Sequence, residues 1–393
     1  MNLTVGPAIL SAIDSVLKNR KGQVQLHEPS FGDTEQETLK RCLESGFVSS
    51  VGELIGTFER LLAAYTGAAH VVACVNGTSA LHVSYVLAGV EANDEVLMPA
   101  MTFVATANAA AYCGAVPHFV DVDESHLGID PDKLELYLKE IAQSRGDACY
   151  NRATGRRIRA LVAVHTFGHP CQLEKLEQIC ERYRIEFIED AAESLGSRYH
   201  GRHLGTFARL AAASFNGNKI ITTGGGGAIY CRDTKTADLA KHITTTGKQP
   251  HAYKFFHDMV AYNYRMPNLN AALGCAQMAS LPKFFAQKRT LADRYAAAFR
   301  NVSGAKFFKE PEGSESNYWL NALLLDHADM TYRDSVIEFL RENGIMTRPV
   351  WSMLNSLPMY KNSPAMDLET SKDLEMRLIN IPSSPFLAGN EAV

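Results

Sequence analysis

At 393 residues the chain exceeds one ordinary domain and can bury a sizeable core. Hydrophobic residues make up 46% and charged residues 21%, ordinary values for a soluble globular protein, and the net charge of −4 comes with no basic run, which argues against a nucleic-acid surface. No early segment has the charged-then-apolar order of a secretory leader, no apolar run reaches the roughly 18 residues of a membrane span, and the eight cysteines form no Cys-x-x-Cys pair, so the expectation is a cytoplasmic protein with no membrane partner and no metal.

In chain order, residues 8–17 carry apolar side chains at helical spacing and open an N-terminal helix. Strands are expected at 71–75, 95–98, 118–120, 160–165, 186–188, 211–215 and 228–231, with helices between most of them, such as 79–88, 106–112 and 173–183. Strands alternating with helices argue for an α/β fold with a large, mostly parallel sheet. Residues 142–157 are polar, contain Gly146, Asn151 and Gly155, and read as a surface excursion. A boundary falls near Met266-Pro267-Asn268, beyond which a long helix (270–299) and a strand (318–325) suit a smaller α+β domain. The expected organisation is therefore an N-terminal helix and lead-in segment at 1–30, a large domain at 31–262 and a smaller one at 263–393.

Three segments carry chemistry. Val75-Asn76-Gly77-Thr78-Ser79 joins an apolar strand to a helix, where free N–H groups and the helix dipole make an anion cup; an ordinary turn with Thr78 or Ser79 as the cap fits equally. Glu189-Asp190-Ala191-Ala192-Glu193 puts Asp190 at the C-terminal end of a strand, the edge where ligands gather in open α/β sheets. A carboxylate there can keep a pyridine nitrogen protonated, or can cap a following helix. Ser214-Phe215-Asn216-Gly217-Asn218-Lys219 ends a strand on a lysine just before Gly224 to Gly227, and a lysine beside a carbonyl cofactor forms a Schiff base. The glycines admit a cofactor or another backbone.

An anion cup, a ring-nitrogen carboxylate and a lysine for an aldehyde are the three handles of pyridoxal 5′-phosphate. Their order and flanking words closely resemble the DegT/DnrJ/EryC1/StrS family of nucleotide-sugar aminotransferases. The words are NGTSAL (76–81), PAMTFVATANA (99–109), VHTFGHP (164–170), EDAAESLG (189–196), SFNGNKIITTGGGG (214–227) and YNYRMPNLNAALG (262–274). Within the family, LHEPSFG, FVSSVG, RPVWSML and NIPSSPF look most like the LegC-type branch. The resemblance runs from about residue 26 to 386. It implies the aspartate-aminotransferase-like fold (fold type I), the cofactor pyridoxal 5′-phosphate, and a homodimer with shared sites.

Residue by residue, the resemblance makes Lys219 the Schiff-base lysine and proton carrier. Asp190 becomes the ring-nitrogen partner, and Gly77, Thr78, Ser79 and Ser214 the phosphate donors. Phe103 becomes the stacking ring, with plain core as the alternative. Asn263 becomes a phosphate donor to the partner subunit. Glu193 stands where many members have Gln or His, and either touches the cofactor or substrate or is a helix-face charge. Gly225 stands where many members have Glu, which should leave that turn more flexible. Arg348 is a candidate carboxylate or phosphate holder, with a surface role as the alternative. His165 and His169 are candidates to line a sugar pocket, or else structural histidines.

The implied reaction moves an amino group from L-glutamate to a nucleotide-linked keto-sugar, most like a UDP-linked 2-acetamido-2,6-dideoxy-4-hexulose, for surface glycans such as lipopolysaccharide O-antigen. Competing readings are a keto-sugar dehydratase, which has histidine at the lysine position, amination at C3, an amino-acid aminotransferase, or a dinucleotide-binding module. The last lacks G-x-G-x-x-G after a first strand.

Overall fold

A computed structural model describes residues 5–18 and 22–389. Residues 1–4, 19–21 and 390–393, which belong to the expected first and last segments, lie outside the described residues. The central sheet contains β1 (His70–Cys74), β2 (Glu95–Pro99), β3 (Val116–Val120), β4 (Ile158–Val164), β5 (Glu186–Asp190), β6 (Leu210–Ser214) and β7 (Gly227–Cys231). Their order across the sheet is β1-β7-β6-β5-β4-β2-β3. The pairs β3/β2, β2/β4, β4/β5 and β5/β6 are parallel, whereas β7 runs antiparallel to both β6 and β1. The sheet is thus mixed, with one reversed strand inside an otherwise parallel array.

The strands read as continuous apolar runs because both faces are covered by helices. Successive residues alternate between the two faces. Val96, Met98 and Val162 pack with Leu81, Val83 and Tyr85 of the helix Gly77–Leu87. Leu97, Leu161 and Ala163 pack on the opposite side with Leu173, Leu176 and Ile179 of the helix Leu173–Tyr183. Each such Val, Leu, Ile or Met side chain, fully buried, contributes about 1.5–3 kcal/mol.

A second, antiparallel sheet contains β8 (Ala305–Phe307), β9 (Asn321–Leu325), β10 (Arg348–Pro349) and β11 (Leu378–Ile381), in the order β8-β9-β11-β10. The N-terminal helix Val5–Val16 lies in the same cluster, its Ile9 and Ile13 buried with Leu323, Leu325 and Ile379. The helix Asn268–Ala298 passes from one core to the other: Ala271, Met278 and Leu281 pack with Phe58 and Ala213, whereas Leu291 and Tyr295 join the second cluster.

Residues 142–157 are largely exposed, as a surface excursion should be, while the strand expected at 318–325 needs correction. Residues 142–157 contain a β-hairpin, Ala142–Arg145 against Ala148–Asn151, and the side chain of Asn151 donates to the Glu95 carboxylate at 2.9 Å, which fastens the hairpin to β2. The strand expected at 318–325 starts only at Asn321. Residues 316–319 are drawn out of the ladder: Ser316 Oγ donates to Gly168 O at 3.1 Å and Asn317 Nδ2 to Glu193 O at 2.9 Å, while Tyr318 takes a positive φ of 45°.

Candidate active site

Because β4, β5 and β6 are parallel and β1 points the same way, their C-terminal ends share one edge. Asp190 stands opposite Val164 on one side and Ala212 on the other; Ser214 and Cys74 both stand opposite Gly227. A cavity of about 300 Å³ opens at this edge. Among the expected residues, Gly77, Thr78, Phe103, Asp190, Glu193, Ser214, Lys219 and Arg348 line it. Asn76, Thr102, Asn216, Asn218, Trp319 and Trp351 also line it and were not singled out from the sequence.

The cup is built on close backbone approach. A Cβ at Gly77 would stand 2.8 Å from the Ser214 Cβ, and one at Gly227 would collide with the Asn76 and Gly77 backbone. These glycines are where β1, β6 and β7 meet the start of the helix Gly77–Leu87, and a side chain at either would force these elements apart. The helix is capped by Asn76, whose Oδ1 accepts from Ser79 N at 2.8 Å, and not by Thr78 or Ser79. Ser79 is buried and does not line the cavity. The turn at Gly225, expected to be flexible, is tied by Asn270 Nδ2, which donates to Thr223 O at 2.7 Å and Gly225 O at 3.1 Å.

Asp190 is buried. Its Oδ2 accepts from Thr106 Oγ at 2.8 Å and its Oδ1 from Ala192 N at 3.2 Å. The next helix after Asp190 begins only at Thr234, so neither helix capping by Asp190 nor a helix-face role for Glu193 applies. Burial raises the Asp190 carboxyl above its ordinary range, opposed by the Thr106 hydrogen bond. Glu193 lies 3.4 Å from Lys219 Nζ through Oε1 and accepts from Phe167 N at 2.8 Å through Oε2. Burial pushes Glu193 up to about 7, with Lys219 pulling the other way. Burial likewise lowers Lys219, opposed by Glu193 and Asp190. A lysine and a carboxylate 3.4 Å apart, each moved by burial toward its neutral form, can share and move a proton.

His165 and His169 do not line the cavity, so their expected part in a sugar pocket is withdrawn. His165 is fully buried and bonds Glu189 at 2.9 Å. His169 sits between the Phe308 and Tyr318 rings, at 4.9 and 5.2 Å, with neither ring nitrogen bonded. The turn they flank contributes through its backbone instead, at Phe167 N. Phe103 is 53% exposed at the cavity, so it is not core. Arg348 is also exposed at the cavity. Asn263 is exposed and outside it.

Burial holds the His169 pKa down to about 3. The unfolded chain protonates near its ordinary value of about 6.5. The folded state therefore binds fewer protons than the unfolded one between about 6.5 and 3, and stability is lost as pH falls through that window. His169→Leu is expected to remove up to about 2 kcal/mol of the stability difference between pH 8 and pH 5, since about 1.5 pH steps of about 1.36 kcal/mol each are eliminated. Denaturant unfolding at the two pH values measures it; an unchanged difference would place His169 in contact with a proton acceptor.

The pattern of the DegT/DnrJ/EryC1/StrS aminotransferase family matches residues 29–393. The chain belongs to this family. It is a pyridoxal-phosphate-dependent aminotransferase with the α/β fold of that class. Over 369 residues it is 32% identical to a GDP-perosamine synthase of Vibrio cholerae, a match covering 94% of this chain and 96% of that protein. Its fold is similar to that of the aminotransferase TlmJ of Streptoalloteichus hindustanus, at 26% identity and a TM-score of 0.83 over 92% of this chain and 94% of that one. It is also similar to DesI, solved in the presence of its TDP-sugar product, at 25% identity and a TM-score of 0.81 over 92% and 88%. Among the described residues no helix is long and apolar enough to cross a membrane.

Proposed function

We propose that this aminotransferase moves an amino group from L-glutamate to a nucleotide-linked keto-sugar, at C4 of a UDP-linked 2-acetamido-2,6-dideoxy-4-hexulose, in surface glycan synthesis in the cytoplasm, and that it belongs to the LegC-like branch. The observation that carries the reading is the placement of Lys219, Glu193 and Asp190 around one cavity that is also lined by the N-terminus of the helix Gly77–Leu87. The TDP-sugar product named for DesI and the GDP-linked product named for the Vibrio cholerae relative support a nucleotide-linked sugar as the acceptor.

Pyridoxal phosphate, when bound, supplies an aldehyde that takes up amines and a ring that draws electrons from the adjoining carbon. Gly77, Thr78 and Ser214 would hold its phosphate, where N–H groups and the helix dipole favour an anion. Asp190 would hold the ring nitrogen's proton. Lys219 would form the covalent link and then move a proton, with Glu193 keeping that proton close at 3.4 Å. Phe103 and Arg348 at the mouth would cover the ring and hold a carboxylate or phosphate.

The reading includes a homodimer. Asn263 lies outside its own cavity, and the preceding loop exposes Tyr253, Phe255, Phe256 and Val260 at 77%, 78%, 63% and 92%. Apolar side chains exposed together suit a subunit interface. Mixing Lys219→Ala subunits with Asn263→Ala subunits is expected to restore about one intact site per mixed dimer, because both defects then fall in one site. No gain over either parent would rule out shared sites. The acceptor itself is tested by a coupled assay of GDP-, TDP- and UDP-linked 4-keto and 3-keto sugars with L-glutamate. Turnover is expected with the UDP-linked 4-keto acetamido sugar, and preference for another acceptor would overturn that choice.

A further inference from the structure

Lys219 rests on a tryptophan. The ammonium nitrogen lies 3.7 Å from the centroid of the Trp319 ring, and Trp319 Nε1–H donates to the carbonyl of Asn218 at 2.7 Å, so one side chain holds both the lysine's tip and the backbone next to it. Trp319 is 4% exposed and is itself fixed on two sides. Its N–H donates to Asn317 Oδ1 at 2.7 Å. Its carbonyl accepts from Lys288 Nζ at 3.1 Å, and that buried amine also donates to Ser383 O at 2.6 Å. The Asn317 amide donates to Glu193 O and Leu195 O, each at 2.9 Å, so the segment that fixes the tryptophan also fixes the turn carrying Glu193.

We propose that Trp319 is a positioning residue for Lys219: its indole face keeps the ε-ammonium beside Glu193, and Lys288 and Asn317 keep the indole in place. The inference rests on the reading of Lys219 as the cofactor's lysine for its consequence, not for its geometry. A cation over an indole face is attracted by the ring quadrupole, most strongly where water is excluded. The groups that bear on Lys219 are the carboxylates of Glu193 and Asp190 and the buried His27; Arg348 lines the same cavity. Its contact with Glu193, at 3.4 Å, is longer than a tight charge-assisted bond of about 2.7–2.9 Å. The indole face thus retains the ammonium beside Glu193 without a close ion pair and holds its proton more firmly than an aliphatic wall would.

The test uses the full chain freed of cofactor. Lys219 is labelled with acetic anhydride from about pH 6 to about pH 11 and quantified by peptide mass spectrometry, which gives its titration midpoint. Trp319→Leu, which keeps the site apolar but removes the ring, is expected to lower the midpoint by about one pH unit, leaving about tenfold more reactive amine below it. Trp319→Phe keeps a ring face and is expected to stay near wild type. A Leu midpoint at or above wild type, or a Phe midpoint as low as that of Leu, would overturn the proposal. Circular dichroism checks the fold. Should the Leu variant not fold, Lys288→Met serves in its place, with a smaller fall expected and an unchanged midpoint counting against the proposal. Borohydride mapping of the cofactor-loaded wild type tests separately whether Lys219 is the cofactor's lysine.

Discussion

Lys219→Ala is expected to abolish covalent attachment of pyridoxal phosphate and to cut turnover at least about a thousandfold, within the range of about 10²–10⁴ for a positioned acid–base group and with the covalent role lost besides. The fold is expected to persist. Lys219 lines an open cavity, so its truncation enlarges a space that solvent can enter and does not leave a sealed void in the core. Glu193 loses its partner at 3.4 Å and, already pushed up to about 7 by burial, becomes more fully protonated. A neutral carboxyl there still accepts from Phe167 N, so no buried charge is left alone. Two measurements decide it. Borohydride reduction of the wild type followed by peptide mapping should place the cofactor on Lys219, and the Ala variant should show wild-type circular dichroism with no fixed cofactor. Cofactor fixed to another lysine would overturn the assignment.

Much of this arrangement is legible in the chain. The helix at 173–183 was expected with the bounds observed, because Leu173, Leu176, Ile179 and Cys180 form one buried stripe. The edge that collects Gly77, Asp190 and Ser214 follows from reading three apolar strands, each ending in a polar word, and from the rule that ligands gather at the C-terminal ends of such strands. What stayed hidden came from elsewhere in the fold. Trp319 and Trp351 reach the cavity from the C-terminal part of the chain, and Asn317 meets Glu193 across 124 residues. No local pattern announces such a contact. The reversed strand β7 was hidden for the same reason, since an apolar run has no visible direction. The two histidines misled in a different way. A polar ring in the word VHTFGHP suggests a pocket, but the backbone of Phe167, held at φ 57°, turns the site contact into an N–H and leaves both imidazoles in the core.

Asp190→Asn is expected to retain the cofactor and lower the rate by about one to two decades, the value of a lost charge-assisted hydrogen bond of roughly 1.5–3 kcal/mol acting on the transition state. The substitution separates charge from architecture. Asn keeps an oxygen to accept from Ala192 N, the bond now 3.2 Å long at Oδ1, and its amide can donate to Thr106 Oγ, which turns its own proton elsewhere. The turn at 190–193 should therefore hold, and with it the contact between Glu193 and Lys219. What disappears is the negative charge. In the free protein that charge is held at a cost, because burial raises the Asp190 carboxyl above its ordinary range. A protonated ring nitrogen opposite it would lower the carboxyl again and make the ionised form the stable one. The Asn variant cannot return that favour, so its ring nitrogen should give up its proton more readily. A pH titration of the bound cofactor's absorbance, run beside the rate measurement, reads this directly. Turnover equal to wild type would reduce Asp190 to a backbone turn residue and remove the electrostatic role.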